Sequence, residues 1–132
     1  MKRAQRYQKR RQAERAGRRA ELIAAIWLLL RGYRIHKIRY RNHAGEIDLI
    51  VSRGKWLVFI EVKTRAKGAT AYDVSSFQAD RIVRTANLYL TQNAFADKMD
   101  TRFDLILFGD WRWPRHIYNA FFDDGWGGRS IT

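Results

Sequence analysis

The stretch GEIDLIVSRGKWLVFIEVKTR, from Gly45 to Arg65, decides the fold. Glu46 to Ser52 and Trp56 to Thr64 are rich in Ile, Val, Leu and Phe, and Arg53, Gly54 and Lys55 divide them. This is the pattern of two antiparallel strands joined by a tight turn. With Gly54 and Lys55 at the centre of the turn, Asp48 stands opposite Glu61 and Glu46 opposite Lys63, and all four share one face. A turn centred on Arg53 and Gly54 changes the partners but keeps the four together, whereas a one-residue slip separates them.

Two carboxylates facing each other across a strand pair lie roughly 5 Å apart at Cβ. At an effective dielectric near 20 they repel by about 3 kcal/mol. Between Ile47, Leu49, Ile60 and Val62, apolar residues would be cheaper, so Asp48 and Glu61 call for a cation. Mg²⁺ is suited to the place, with Mn²⁺ able to substitute, because hard divalent ions take one or two carboxylates together with phosphate oxygens and water. Lys63 would then orient or help deprotonate an attacking water and stabilise charge developing on a phosphate. Glu21 becomes a further ligand or water holder if its helix packs over this part of the sheet. The competing interpretation is a solvated sheet face with cross-strand ion pairs, each worth under about 1 kcal/mol. Gln78 reads either as a capping-box residue or as part of the site, and Arg65 either clamps phosphate or covers the sheet edge.

Working outward, Leu22, Ile23, Ile26, Trp27, Leu29 and Leu30 recur at three- and four-residue spacing. They predict an amphipathic helix from Ala13 to Arg31 with a wide buried stripe, stopped by Gly32. Tyr33 to Arg41 alternates as a strand with a basic surface, and Ala66 to Asp73 reads as a loop. Ser75 to Gln78 has the S-x-x-Q form that opens a helix, here running to about Asn93. Phe103 to Phe108 and Arg115 to Phe121 read as strands around a turn at Gly109 to Pro114. Trp56 is expected to pack near the hairpin. Trp111, Trp113 and Trp126 fit packing better than base stacking, and His116 and Asn119 fit structural roles. The order of helix, three strands, helix and two strands predicts an α/β domain with a central sheet.

The chain of 132 residues carries a net charge of +13, and Met1 to Arg19 alone holds nine basic residues and one acid. Residues 1–16 are expected to project as a basic arm, a frayed helix or a disordered segment, ahead of one domain and a loose tail from Asp123 to Thr132. Each Lys or Arg set on a phosphate releases condensed counterions, so the arm points to nucleic acid ahead of an anionic membrane surface or plain solubility. Arg10, Arg11, Arg15, Arg18 and Arg19 are the candidate contacts there, joined by Arg39, Arg41 and Arg65. A hydrophobic content of 46% rules out wholesale disorder. The absence of cysteine excludes disulfides, thiol catalysis and Cys-ligated zinc, and three scattered histidines fit no zinc spacing, so any metal must sit on oxygen. The longest apolar run, Leu22 to Leu30, is far short of the roughly 20 residues of a bilayer span, and nothing before it looks like a secretory signal. A soluble cytoplasmic protein without membrane contact is expected.

GEIDLI (Gly45 to Ile50), FIEVKTR (Phe59 to Arg65), RFDLI (Arg102 to Ile106) and HIYNAF (His116 to Phe121) together resemble the bacterial YraN family. Its relatives are the PD-(D/E)xK restriction-endonuclease-like nucleases and archaeal Holliday-junction resolvases. The resemblance covers Gly17 to Phe121 and implies a restriction-endonuclease-like mixed central sheet flanked by helices, in a nuclease-like domain over residues 17–122. It matches Asp48 and Glu61 to the metal-binding acids, Lys63 to the motif lysine, Glu21 to the first-helix glutamate and Gln78 to the glutamine opening the second helix. Ala20 stands where the family usually has Gly, Phe77 where it usually has Lys beside the glutamine, and the basic arm is longer than usual. The implied activity is Mg²⁺-dependent endonucleolytic hydrolysis of DNA, in branched or flap structures, by a symmetric homodimer of the resolvase kind. The alternatives are a non-catalytic nucleic-acid-binding protein that keeps the nuclease fold, and an adaptor whose arm docks on an acidic partner.

Overall fold

Ile, Val, Leu and Phe fill two adjacent strands almost without interruption, a composition suited to a sheet covered on both faces. A computed structural model shows this arrangement and describes residues 2–64, 76–109 and 113–120. The elements are α1 (Lys2–Leu30), β1 (Arg34–Asn42), β2 (Gly45–Arg53), β3 (Trp56–Thr64), α2 (Ser76–Gln92), a 3₁₀ turn (Ala94–Lys98), β4 (Asp100–Phe108) and β5 (Arg115–Ile117). The strands lie in the order β1-β2-β3-β4-β5; β3 and β4 run parallel and the other neighbours antiparallel. This mixed sheet flanked by helices is the restriction-endonuclease-like arrangement that the family resemblance implied.

One helix covers each face. Leu28, Ala24 and Ala25 of α1 pack on Leu49, Val51, Val58, Ile60 and Ile106, while Ile82, Ala86 and Tyr89 of α2 pack on Ile47, Ile50, Leu57, Phe59 and Leu105. The buried line of α1 differs from the expected one. Ala20, Ala24, Ala25 and Leu28 face the sheet, whereas Leu22, Ile23, Ile26, Leu29 and Leu30 are each more than half exposed. The small alanines let the helix backbone approach the strands closely, and this turns the bulkier residues outward. The helix also begins at Lys2 rather than Ala13, since its first part consists mainly of Arg, Lys, Gln and Ala, all good helix formers. It ends at Gly32 as expected. Gly32 takes φ 90°, and the Gly32 and Tyr33 N–H groups donate to the Leu29 and Leu28 carbonyls, the two bonds of a Schellman cap.

β5 is shorter than the expected strand to Phe121. The chain turns at Asn119, whose φ is 58° and whose N–H donates to Asp104 at 2.8 Å. The sequence patterns predict no element where the 3₁₀ turn follows α2. Arg65, the loop 66–73, Ser75, Trp111, Phe121, Trp126 and the tail 123–132 lie outside the described residues. Trp113 is exposed, and Trp56 packs at the margin of the α1-side core, as expected for the hairpin. No helix among the described residues is long and apolar enough to cross a membrane.

Asp104 is the polar knot of the domain. Its fully buried carboxylate accepts two Arg102 hydrogen bonds at 2.8 Å, faces His116 Nε2 at 2.7 Å, and takes the Asn119 N–H. Arg102 also donates to the Tyr33 hydroxyl at 3.1 Å, which joins β4 and β5 to the end of α1. His116 and Asn119 thus have the structural role expected of them. Burial opposes the Asp104 charge, but the bonds from His116, Arg102 and Asn119 outweigh it and hold the carboxyl below its ordinary pKa. Its stabilisation is therefore complete at neutral pH and lost as the pH falls through the acid range. Asp104→Ala, which leaves Arg102 buried and unpaired, should cost roughly 3–5 kcal/mol in urea unfolding at neutral pH. A loss below about 1 kcal/mol would show that the knot does not hold the fold together.

Gly45 lets the β1–β2 turn lie against α2. A Cβ there would stand 2.8 Å from Thr85 Oγ1, which belongs to a fully buried side chain bonded to the Arg81 carbonyl. Gly45→Ala should lower stability by about 1–3 kcal/mol, the usual range for overpacking, measurable as a reduced urea midpoint with unchanged m-value. An unchanged midpoint would mean that the turn yields freely.

Candidate active site

The β2–β3 ladder runs from Arg53↔Trp56 to Leu49↔Ile60, the register expected for a turn at Gly54 and Lys55. Gly54 sits at φ 58°, the left-handed conformation that such a two-residue turn requires. Beyond Leu49 and Ile60 the two strands part. β2 stays with β1 as far as Asn42↔Gly45, and β3 stays with β4 as far as Thr64↔Phe108. In the gap Asp48 Oδ2 accepts the Val62 N–H at 2.8 Å, so a side chain takes the place of a ladder carbonyl.

β2 also turns over at this point. Ile47 belongs to the core under α2 and Leu49 to the core under α1, although residues two apart in a regular strand share a face. Across from Asp48, Arg39 has φ 52°, and the β1 pairing passes from Ile38↔Leu49 to Tyr40↔Ile47 without it. A left-handed arginine is a strained choice and here reaches Glu21 of α1, with Nε 3.1 Å from Oε1.

The parting of the strands brings five sequence-predicted residues together. Glu21 enters from α1, Asp48 from β2, Glu61 and Lys63 from β3, and Gln78 from the first turn of α2. Gln78 Nε2 donates to Glu61 Oε2 at 2.6 Å, and its Oε1 accepts from Lys63 Nζ at 3.4 Å. A single amide therefore ties the acid to the lysine. Glu21 and Glu61 both stand in the field of the Asp48 carboxyl. The hollow lined by Glu21, Asp48, Glu61 and Gln78, with Glu46, Arg81 and Ile82, measures about 330 Å³, and Lys63 joins it only through Gln78.

The expected Glu46–Lys63 pair does not form, because the strands have already separated. Glu46 instead accepts from Arg41 at 3.1 Å, and Lys63 turns to Gln78. Arg39 and Arg41 lie at the rim, each engaged with a glutamate. Arg10, Arg11, Arg15, Arg18 and Arg19 are exposed along α1. Only Arg18 and Arg19 come within a turn of Glu21; at 1.5 Å per residue the start of the helix is about 28 Å further along. Arg81 was missed, and its signal was its position three residues after Gln78 on one helix face.

Glu61 is pushed up to about 9 by burial and by Asp48, through both a hydrogen bond and its charge, against the opposing pull of Lys63 and Gln78. Glu21 is raised to about 7 by burial and the Asp48 charge, with Arg39 opposing. Two carboxyls beside the hollow, Glu21 and Glu61, thus hold their protons more firmly than an ordinary carboxyl does, and a cation would displace them. No trio of acidic or imidazole side chains among the described residues is gathered closely enough to enclose an ion unaided. Mg²⁺ needs only one or two carboxylates, its other ligands being water and phosphate, so the all-oxygen pair Asp48 and Glu61 fits it.

A mixed sheet whose middle strands part around an acid, an acid and a lysine defines a restriction-endonuclease-like domain. Residues 20–108 match the model of the uncharacterised protein family UPF0102. The chain belongs to this family, which is the YraN family of the restriction-endonuclease-like superfamily. It is 45% identical over 114 residues to a UPF0102 protein of Agrobacterium fabrum, covering 86% of this chain and 93% of that one. A UPF0102 protein of Maricaulis maris is 46% identical over 108 residues, covering 81% and 85% respectively. One from Mesorhizobium japonicum is 41% identical over 114 residues, covering 86% and 91%.

The two raised carboxyls set a pH dependence. A folded-state pKa above the unfolded value stabilises at low pH, and that contribution is lost as the pH rises through about 7 for Glu21 and about 9 for Glu61. In the presence of a chelator, the melting temperature should fall between about pH 5 and pH 9, and Glu61→Gln should flatten the fall. Equal slopes for the variant and wild type would contradict the assignment of the high value to Glu61.

Proposed function

We propose that the protein is a Mg²⁺-dependent endonuclease that hydrolyses DNA phosphodiester bonds, in branched or flap structures. The observation that carries this reading is the pair Asp48 and Glu61 at the parting of β2 and β3, with Lys63 bound to Glu61 through Gln78. Asp48 spends one oxygen on the Val62 N–H, and Glu61 spends one on Gln78. Each keeps a second oxygen to hold the ion. A bound divalent cation supplies charge neutralisation at the phosphate and a more acidic water. Gln78 fixes the Lys63 ammonium beside the reacting phosphate, where it stabilises developing negative charge. Glu21, at a pKa near 7, accepts or returns a proton from water at the α1 side of the hollow. The basic residues of α1 hold the polyanion, and their charge alone also supports a second reading, a binding protein of this fold without catalysis.

Labelled four-way junction, flap, single-stranded and duplex DNA, incubated with Mg²⁺ or Mn²⁺, should be cleaved by wild type but not by Asp48→Asn or Lys63→Ala. Lys63→Ala should bind DNA almost as wild type does, since its loss falls on the transition state. Mg²⁺ should raise the melting temperature of wild type and leave that of Asp48→Asn nearly unchanged. Tight binding without cleavage of any substrate would favour the second reading.

A further inference from the structure

The acidic hollow is not the only recess beside α2. A second, of about 510 Å³, opens between that helix and the β1–β2 turn, lined by His43, Ala44, Arg84, Asn87 and Leu88. We propose that this recess binds one unpaired nucleotide next to the scissile phosphate, with Arg81 and Arg84 on the phosphates that connect the two positions. The proposal rests on the nuclease reading for the word scissile, but the binding it describes stands or falls separately.

The two recesses share a helix face. Arg81 lines the acidic one and Arg84 the other, three residues apart and thus close to one turn of 5.4 Å along α2. Phe77, at 68% exposure, precedes Arg81 by one turn on the same side, and the Arg81 guanidinium lies 6.0 Å from its ring. Exposed aromatic and basic side chains in alternation make the pattern that grips single strands, by stacking and by phosphate attraction together.

Among the arginines beside the two recesses, charge pairing favours these two. Arg39 and Arg41 are already answered by Glu21 and Glu46 at 3.1 Å each. Neither Arg81 nor Arg84 makes an ion pair among the described residues. A guanidinium without a carboxylate partner gives its whole charge to a phosphate.

The recess has fixed walls. Asn42 Nδ2 donates to the Thr85 carbonyl at 3.2 Å, and the Ala44 N–H donates to Asn42 Oδ1 at 2.9 Å. With the close approach of Gly45 to Thr85, these bonds fasten the turn to α2. Ala44 and Leu88 offer apolar contact, Asn87 an amide for a base edge, and His43 an imidazole ring. Those are the contacts of a flat heteroaromatic ring with a polar rim. A base stacked within a duplex cannot leave its neighbours to reach them without unstacking, so the occupant is an unpaired nucleotide.

The test is fluorescence anisotropy of the full chain in a chelator, so that no cleavage intervenes. The probes are a short single-stranded DNA, a blunt duplex of equal length, and a strand made wholly of abasic deoxyribose phosphates. The Arg81→Ala, Arg84→Ala double variant should bind the single strand at least tenfold more weakly, with a salt slope smaller by about one to two. Ala44→Trp, which fills the recess, should weaken binding of the normal strand several-fold and leave the abasic strand and the duplex unchanged. Equal losses for strand and duplex in the double variant, with no effect of Ala44→Trp on any probe, would overturn the proposal even if wild type cleaves DNA. Selective losses in a protein that cleaves nothing would uphold the recess and remove the nuclease.

Discussion

The parting of β2 from β3 beyond Leu49 and Ile60 is the constraint on which the rest of the molecule depends. Opening a sheet between two middle strands exposes backbone donors and acceptors, and buried ones left unmet are expensive. Here each strand keeps its other neighbour, and the Asp48 carboxylate takes the Val62 N–H. The same group that relieves the backbone of β3 also carries the charge that gives the gap its chemistry. Removing it would disturb both, so binding and stability have to be read together with activity in any variant at this position.

The two helices reach the gap from opposite faces in different ways. α1 approaches on alanines, which brings Glu21 down to the strands and leaves leucine and isoleucine outside. α2 approaches on larger side chains and enters with its first turn, so Gln78 meets β3 from the other side. On β4, where Asp104 pairs with Ile60, the Asp104 knot joins β4 and β5 to the end of α1 with hydrogen bonds and ion pairs. The site is thus framed by helix packing on both faces of the sheet and by a buried polar network one strand beyond β3.

Much of this was legible in the chain. The hairpin register followed from the turn at Gly54 and Lys55, the bounds of β3 from an apolar run, and the end of α1 from Gly32. Local chemistry decides each of these. What could not be read depends on three dimensions. Periodicity marks a bulky stripe on α1 but does not say that the alanine line faces the sheet. Pairing rules place Glu46 across from Lys63 but cannot show that the strands have separated before that point. Gln78 carried two readings because its sequence fits a cap as well as a site, and only its 2.6 Å bond to Glu61 places it in the hollow.

The parallel pairing of β3 with β4 joins Trp56 to Asp100 across a long stretch of chain, while the β2–β3 hairpin closes over a two-residue turn. Contacts of short sequence separation form early and distant ones late. Nothing in the hairpin's own turn stops it from zipping onward through Asp48 and Glu61. In the folded domain the outer neighbours impose the divergence, β1 holding β2 and β4 holding β3 beyond the point where the two strands part. The acidic gap therefore depends on strands that lie outside the hairpin, and the hairpin alone would own Asp48, Glu61 and Lys63 without possessing the site.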